Sequence, residues 1–424
     1  MFKSKVSQNP YLAAGATTIH AIITVSTEGE EGAAPAPQTG ASLVMGFVID
    51  CSGSMDGEKI QSAKSAVKAA ISLLPEHAQF FVIAGDNATE VVSPLRYATP
   101  ENKAKAKDKV GRVSGGGGTE MSTWLEAALA LFPSGPEFIR QGLLLTDGAN
   151  DVRDNQRLPG VLAKCTGIFQ CEARGVGADW EPDQLRLISN TLLGTTDIIP
   201  SPAQMSADFQ SIITRSLAKN VSDAVIRLWT PAGASVEFCK QVSPDLLDLT
   251  SKAKVDPVNL QIREYPTGSW GKETRDYHFA IKVKPGNVGQ KMLAGRASIV
   301  TRGPQGENET ERAQVLAIWT DDEAQSAIID RTVAHYTNQG ELAQVIQEGL
   351  KARREGNEDE ATKKLGRAVQ LAAESGNEET AKLLSKVVDV IDESEGTVKL
   401  KRNTTAEDEM TLDTRSTKTR RITV

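Results

Sequence analysis

The sequence predicts a multidomain chain that combines a doubly wound α/β domain, an antiparallel β-sandwich and a helical bundle. Three observations lead to this fold class. Residues 39–220 alternate apolar strand-like runs with amphipathic helical patterns, as a doubly wound sheet requires. Residues 221–321 hold short segments in which apolar and polar side chains alternate. Residues 322–394 are rich in Ala, Leu, Glu and Lys at helical spacing, so the 424-residue chain is expected to form several domains.

The composition excludes several classes of protein. A formal net charge of -7 argues against a general nucleic-acid surface, which needs a basic face. We find no apolar run of membrane-spanning length, and residues 1–5 are not followed by a signal-type apolar core. We therefore expect a cytoplasmic protein without membrane or nucleic-acid partners. The four cysteines are too scattered for a disulfide framework and are predicted to be free thiols: Cys51, Cys165, Cys171 and Cys239.

The most informative stretch begins with the apolar run 43–49. A run without a polar face is typical of a central parallel strand that is covered by helices on both sides. The run ends in Asp50, and Ser52 and Ser54 follow on a glycine-bearing turn. Helical spacing of apolar residues then begins at Lys59. The three oxygen donors therefore lie on a strand-to-helix turn, where open α/β sheets build their sites, and they suit a small divalent cation such as Mg²⁺.

Two later segments place further oxygen donors at turns. Glycines 115–118 lead directly into Thr119. The apolar run 142–145 ends in Thr146, Asp147 and Gly148, which puts Asp147 at the carboxyl end of another strand. Because the carboxyl ends of parallel strands meet at one edge of a sheet, these residues can complete a shared site with those of the first turn.

In this order, Asp50-x-Ser52-x-Ser54, Thr119 and Asp147 resemble the metal-ion-dependent adhesion site of the von Willebrand factor A domain family. The resemblance covers roughly residues 40–220 and implies a Rossmann-like fold. It implies that Ser52, Ser54 and Thr119 ligate the ion directly, whereas Asp50 and Asp147 act through bound water. The expected ion is Mg²⁺, with Mn²⁺ or Ca²⁺ as alternatives. One coordination position would then be left for an acidic side chain of a protein partner.

A purely structural alternative is that these polar residues only cap helices. A chemical alternative is a metal-dependent hydrolase, which needs a general base or a second metal within reach. The histidines lie away from the motif, at His20, His77, His278 and His335. We therefore expect a non-enzymatic domain, and the hydrolase is the less favoured interpretation.

The segments on either side of this domain predict how it is connected to the rest of the chain. The apolar strand 18–25, within residues 1–38, has no partner in the α/β pattern. Six alternating strands between residues 221 and 321 need a further strand to complete a sheet. We therefore predict that the α/β domain, residues 39–220, is inserted in a β-sandwich that both flanks form.

The carboxyl-terminal part predicts a helical bundle over residues 322–394, with helix breaks at Gly340, Gly356-Asn357 and Gly376-Asn377. Residues 395–424 are polar and rich in threonine, and we expect them to be disordered. Four of these threonines lie beside charged residues and are candidates for phosphorylation by a Ser/Thr kinase and for binding by forkhead-associated domains: Thr405, Thr411, Thr414 and Thr419.

Together these patterns favour a bacterial adaptor that binds an acidic group of a protein partner through a metal ion, in a Ser/Thr kinase and forkhead-associated signalling pathway. The alternative is a subunit of a MoxR-type AAA+ ATPase or chelatase machine. The chain has no ATP site of its own, because the glycines before Thr119 are not followed by the Lys-Ser/Thr pair of a P-loop.

Overall fold

The computed structural model describes residues 2–27, 41–303 and 306–422. Residues 28–40, which belong partly to the predicted first domain, lie outside the described residues. The chain begins with three strands: β1 (Phe2–Ser7), β2 (Tyr11–Ala13) and β3 (Thr18–Thr27). None of the helices in the described ranges is both long and apolar enough to cross a lipid bilayer.

The α/β unit follows and consists of six strands and six helices. Its elements are β4 (Ser42–Asp50), α1 (Glu58–Leu73), β5 (Gln79–Gly85), β6 (Thr89–Tyr97), α2 (Pro100–Arg112), α3 (Met121–Leu131), β7 (Phe138–Thr146), α4 (Asp154–Cys165), β8 (Gln170–Val176), α5 (Pro182–Thr191), β9 (Thr196–Ile199) and α6 (Met205–Leu217). The sheet order is β6-β5-β4-β7-β8-β9. Strand β6 runs antiparallel to β5, and the other neighbours are parallel. This is the doubly wound arrangement that the sequence predicts.

Strand β4 lies in the middle of this sheet because both of its faces are apolar. On one face Met45 and Phe47 pack in a core with helices α1, α2 and α6. On the other face Val44 and Val48 pack with helices α3, α4 and α5. With β4 paired to β5 and β7 in parallel, its terminal residue Asp50 reaches the carboxyl edge of the sheet.

The next segment is built from strands: β10 (Val221–Trp229), β11 (Ser235–Ser243), β12 (Leu247–Asp248), β13 (Lys254–Val255), β14 (Ile262–Trp270), β15 (Thr274–Lys282), β16 (Lys291–Gly303), β17 (Gly306–Glu309) and β18 (Ala313–Thr320). One sheet has the order β1-β3-β15-β11-β12, and the other has β13-β14-β10-β16-β18-β2 with β17 beside β16. Residues of both sheets share one core, to which Ile23 and Phe279 contribute from the first sheet and Ile226 and Ile299 from the second. Strands that precede the α/β unit in the sequence therefore pair with strands that follow it.

The last part holds five helices and a hairpin: α7 (Glu323–Ser326), α8 (Arg331–Arg354), α9 (Glu358–Glu374), α10 (Glu378–Val387), β19 (Val388–Asp392), β20 (Thr397–Leu400) and α11 (Ala406–Arg415). The predicted break at Gly340 is wrong, since α8 continues through this residue. A glycine inside a helix costs only about 1 kcal/mol relative to alanine, and packing of α8 against α9 exceeds that cost.

The predicted boundary of the bundle at residue 394 also differs from the structure. The helical pattern ends at Val387, and the β-branched residues of 388–391 form strand β19, which pairs with β20. The pair closes over helix α9, where the carbonyl oxygen of Gly396 approaches Gly366 so closely that a Cβ atom there would lie 2.1 Å away. The helical unit therefore extends beyond its predicted end.

The prediction of a disordered segment over residues 395–424 is wrong for the described residues up to 422. Thr405 caps α11 by accepting a hydrogen bond from the Asp408 amide. Leu412 is fully buried in the core of the helical unit, and Met410 packs into the core of the α/β unit. Two apolar side chains on one short helix thus join two cores, which the low overall apolar content of this segment did not suggest.

Candidate metal site

The side chain of Asp50 is fully buried at the end of β4. Its Oδ1 accepts a hydrogen bond from the Ser52 amide at 2.7 Å, and its Oδ2 accepts one from the Thr146 hydroxyl. Burial raises the pKa of Asp50 to about 6, although the bonds from Thr146 and Ser52 act in the opposite direction. This carboxylate is therefore oriented on two sides, and among the described residues no charged group lies within hydrogen-bond distance of it.

The hydroxyl groups of Ser52 and Ser54 connect the first turn to the end of β7. The two Oγ atoms lie 3.1 Å apart, and Ser54 Oγ donates to Asp147 Oδ1 at 2.6 Å. Asp147 is fully buried and Ser52 nearly so, whereas Ser54 is exposed. The cluster thus opens to solvent on the side of Ser54.

Thr119 reaches the same place because its glycine-rich loop is tied to both neighbouring turns. The Gly116 amide donates to the Cys51 carbonyl at 2.8 Å, and the Asp151 amide donates to the Thr119 carbonyl at 2.8 Å. A Cβ atom on Gly148 would lie 3.4 Å from Ser54 Oγ and 3.6 Å from Thr119 Oγ1. The structure therefore brings all five predicted residues to one edge of the sheet, and the glycine leaves room beside two of the hydroxyl groups.

These residues form a suitable donor set for a hard divalent cation. They offer two carboxylates and three hydroxyl groups, all of them oxygen donors, as Mg²⁺ prefers. Within the described ranges, we find no cluster of three or more His, Cys, Asp or Glu side chains that could hold a metal. Two of the histidines, His20 and His278, contact each other in the β-sandwich. The residues present fit magnesium better than zinc.

Sequence reasoning missed several residues that shape this site. Thr146 orients Asp50, and its position directly before Asp147 was the available signal. Asn150 and Asp154 accept hydrogen bonds from the first amides of helix α3, at 2.9 Å from Met121 and 2.8 Å from Ser122. These two bonds hold the segment that follows Thr119 against the loop that follows Asp147. No spacing rule indicates such pairs, because they join residues on different loops.

Lys59, in the first turn of α1, is the other residue that the sequence did not single out. Its Nζ donates to Asp147 Oδ2 at 2.5 Å, and 27% of its side chain is exposed. The same Nζ lies 3.9 Å from an oxygen of Asp179, whose side chain is 81% exposed. The positively charged ammonium group of Lys59 therefore lies at the edge of the oxygen cluster.

The four candidate phosphorylation sites differ in exposure. Thr405 is exposed at the start of α11, whereas Thr411 and Thr414 are buried. The Thr414 hydroxyl donates to the Met410 carbonyl at 2.8 Å. The Thr419 hydroxyl donates to the Val242 carbonyl at 2.6 Å, which ties the end of the chain to the β-sandwich.

With this geometry established, comparisons identify the family. A solved structure described as von Willebrand factor type A from Catenulispora acidiphila is 40% identical and has a TM-score of 0.92, and the match covers 99% of this chain and 97% of that one. The chain belongs to the von Willebrand factor type A family. The family profile of the von Willebrand factor type A domain matches residues 44–198, and that of the type A C-terminal domain matches residues 370–416.

Other relatives have a lower sequence identity to this chain. An uncharacterized protein of Synechocystis sp. is 29% identical over 222 residues, which are 50% of this chain and 52% of that protein. A von Willebrand factor A domain-containing protein of Dictyostelium discoideum is 25% identical over 47% of this chain and 21% of its own length. The chain thus spans about half or less of these curated relatives. The ArnB paralog VWA2 of Sulfolobus acidocaldarius, at 15% identity and a TM-score of 0.61 over 99% of this chain, shares the fold.

The recognition of the von Willebrand factor type A family from five residues is confirmed by these matches. Domains of this type generally mediate protein–protein interactions. The second profile adds a fact that the sequence patterns had not suggested. Residues 370–416 form a unit that combines part of the helical bundle with the threonine-rich segment up to helix α11.

Proposed function

We propose that this chain is a metal-dependent protein-interaction module that binds an acidic group of a partner protein through a divalent cation. The observation that carries the proposal is the cluster of oxygen donors from three separate loops, with buried carboxylates on the inside and the exposed Ser54 on the outside. A cation held there would face both the protein and the solvent.

In this proposal the hydroxyl groups of Ser52, Ser54 and Thr119 ligate the ion directly. Asp50 and Asp147 supply the negative charge and accept hydrogen bonds from its water. When bound, Mg²⁺ supplies a positive contact for a carboxylate from outside, since it keeps near-octahedral geometry and accepts oxygen ligands. Thr146 holds Asp50 in place, and Ser54 holds one oxygen of Asp147. The prearranged donors reduce the ordering cost of binding.

A non-enzymatic role is part of the proposal. Two carboxylates near the cluster in sequence, Glu120 and Asp151, already have partners, because Glu120 accepts a hydrogen bond from Asn87 and Asp151 accepts one from the Arg153 amide. In the part of the chain that the structure describes, neither carboxylate group is hydrogen-bonded to a side chain of the cluster, so these two groups offer no candidate general base. The hydrolase interpretation thereby has less support than the interaction module.

The threonine-rich segment and the strands on either side of the α/β unit support a proposal about the role of the whole chain. We propose that the α/β unit is an insertion in the β-sandwich, and that the protein acts in the cytoplasm as an adaptor in Ser/Thr kinase and forkhead-associated signalling. Thr405 is the best candidate for a kinase because it is exposed, whereas a phosphate on Thr411 or Thr414 requires α11 to leave its site. The alternative partner remains a MoxR-type ATPase or chelatase.

The test is a pull-down from the native cell with the full chain as bait, in Mg²⁺ and again with a chelator. The expected result is a set of proteins retained only with the metal. Asp50→Ala should release the same proteins. Glu76→Gln, an exposed acid before β5 at the opposite edge of the sheet, is the matched control and should retain them. Identical retention by the wild type and Asp50→Ala would refute the proposal, and retention of an AAA+ ATPase would favour the motor subunit.

A further inference from the structure

Lys59 has an unusual position for a lysine. It lies in the first turn of helix α1, which runs from Glu58 to Leu73, where the positive end of the helix dipole disfavours a cation. Its ammonium group nevertheless forms a 2.5 Å ion pair with Asp147 Oδ2. Because Asp147 is fully buried and Lys59 is mostly covered, this pair is screened by solvent less than a surface ion pair.

The chemistry of the cluster explains what this lysine does in the absence of a metal. Asp50 and Asp147 are both buried at the same edge, and two buried carboxylates without a cation destabilise a folded protein. Ser54 occupies Oδ1 of Asp147, and Lys59 occupies Oδ2. Lys59 therefore compensates one of the two negative charges that would otherwise depend on a metal.

A second carboxylate gives the ammonium group another position. Asp179 lies just after strand β8, its side chain is 81% exposed, and one of its oxygens is 3.9 Å from Lys59 Nζ. The flexible lysine stem can turn from Asp147 toward Asp179 without leaving the edge of the sheet. The residue thus has one buried and one exposed partner within reach.

We propose that Lys59 is a tethered competitor of the divalent cation: it stabilises the metal-free protein and lowers the affinity of the site for metal, and it turns to Asp179 when the metal binds. This inference rests on the proposed metal site. Its physical basis is the repulsion between the ammonium group and a divalent cation that share Asp147. The consequence is a site that releases its metal, and hence its acidic partner, more readily than the oxygen donors alone would allow.

The test is isothermal titration of the full chain with MgCl₂ and MnCl₂, without any partner. Lys59→Met removes the charge and keeps the length of the stem, and it is expected to tighten metal binding roughly tenfold. Lys68→Met is the matched control, since it makes the same change on the same helix at a residue for which the structure describes no ion pair, and its affinity should equal that of the wild type. Equal affinities in the two variants would overturn the inference.

Thermal unfolding gives an independent readout, and it remains informative if Lys59→Met folds poorly without metal. Without metal, Lys59→Met should unfold at a lower temperature than Lys68→Met, and saturating Mg²⁺ should raise its unfolding temperature by a larger amount. A variant that folds only with metal supports the inference. If Lys59→Met is destabilised equally with and without metal, the lysine is merely structural and the inference fails.

The role of Asp179 is tested by a double-mutant comparison. Asp179→Asn should weaken metal binding when Lys59 is present and have a smaller effect in the Lys59→Met background, because its action passes through the lysine. Equal effects of Asp179→Asn in both backgrounds would overturn the proposal that the ammonium group of Lys59 turns to Asp179 when the metal binds. Failure of the wild type to bind either metal at millimolar concentration would instead refute the proposed function, so the two failures are distinguishable.

Discussion

Ser54 Oγ donates a hydrogen bond of 2.6 Å to Asp147 Oδ1, although 93 residues separate the two in the sequence. The bond joins the turn after the central strand to the end of the neighbouring strand. Both strands run parallel in adjacent positions, so their ends meet at one edge. This relationship is the basis of the proposed metal site.

Gly148→Ala should weaken metal binding by roughly 10- to 100-fold, the range seen when residues around the ligands of a metal are changed, because the added methyl group fills the space beside two of the proposed ligands. The added Cβ would lie 3.4 Å from Ser54 Oγ and 3.6 Å from Thr119 Oγ1, and the backbone of Gly148 does not need the left-handed conformation. The measurement is calorimetric titration with Mg²⁺. Gly160→Ala, where a Cβ meets nothing within 4 Å, is the control and should bind metal normally. Equal affinities would show that the space beside the hydroxyls is unimportant.

Thr146→Val should destabilise the metal-free protein by roughly 2 kcal/mol, because it removes a hydrogen bond to a buried carboxylate and leaves the shape of the side chain nearly unchanged. Urea unfolding measures this change in the free energy of unfolding. In an Asp50→Ala background the same substitution should cost clearly less, since its acceptor is gone. Additive effects of the two substitutions would contradict the assigned contact.

Leu412→Ala should destabilise the protein by about 2–5 kcal/mol, the usual cost of emptying a fully buried leucine site. It should also make residues 401–422 the first site of limited proteolysis, because helix α11 contacts both the α/β unit and the helical unit. Glu407→Gln changes an exposed residue of the same helix and serves as the control. Leu412→Ala behaving like that control would indicate that α11 is not docked in solution.

The stability of the β-sandwich should depend on His278 at acidic pH. Burial, with His20 and Lys240 in addition, lowers the pKa of His278 from 6.5 to about 3, and Glu237 opposes the burial effect at neighbouring His20. The unfolded chain therefore binds a proton below pH 6.5 that the folded chain does not bind, so this contribution to stability is lost as the pH falls from 6.5 toward 3. The expected loss at pH 5 is about 2 kcal/mol.

The check is chemical unfolding of His278→Gln at pH 7 and pH 5. This variant keeps a hydrogen-bonding side chain but cannot titrate, and its stability should fall less between the two pH values than that of the wild type. His77→Gln, an exposed histidine for comparison, should follow the wild type. An identical pH dependence of His278→Gln and the wild type would exclude the proposed cause.

Much of the fold and of the candidate site could be predicted from local patterns. The run 43–49 is apolar on both faces, and the structure places it in the centre of the sheet. The five oxygen-bearing residues lie at the end of a strand, on the turn that follows it or at the end of the glycine-rich loop, so their convergence follows from the parallel arrangement. Helix α11 was missed because Met410 and Leu412 look isolated in a polar segment, and their burial depends on two distant cores. The continuation of α8 through Gly340 was missed for the same reason, since packing outweighs a local preference.

The sequence by itself determined the type of each main segment, the positions of the candidate ligands and the family, because strand periodicity, helix stop signals and turn chemistry are local properties. The tertiary structure alone decided that Lys59 pairs with Asp147, that Thr146 orients Asp50 and that the carboxyl-terminal helix is docked. Each of these contacts joins side chains from separate elements, and their geometry depends on how the elements pack. Spacing along the chain carries no information about that packing.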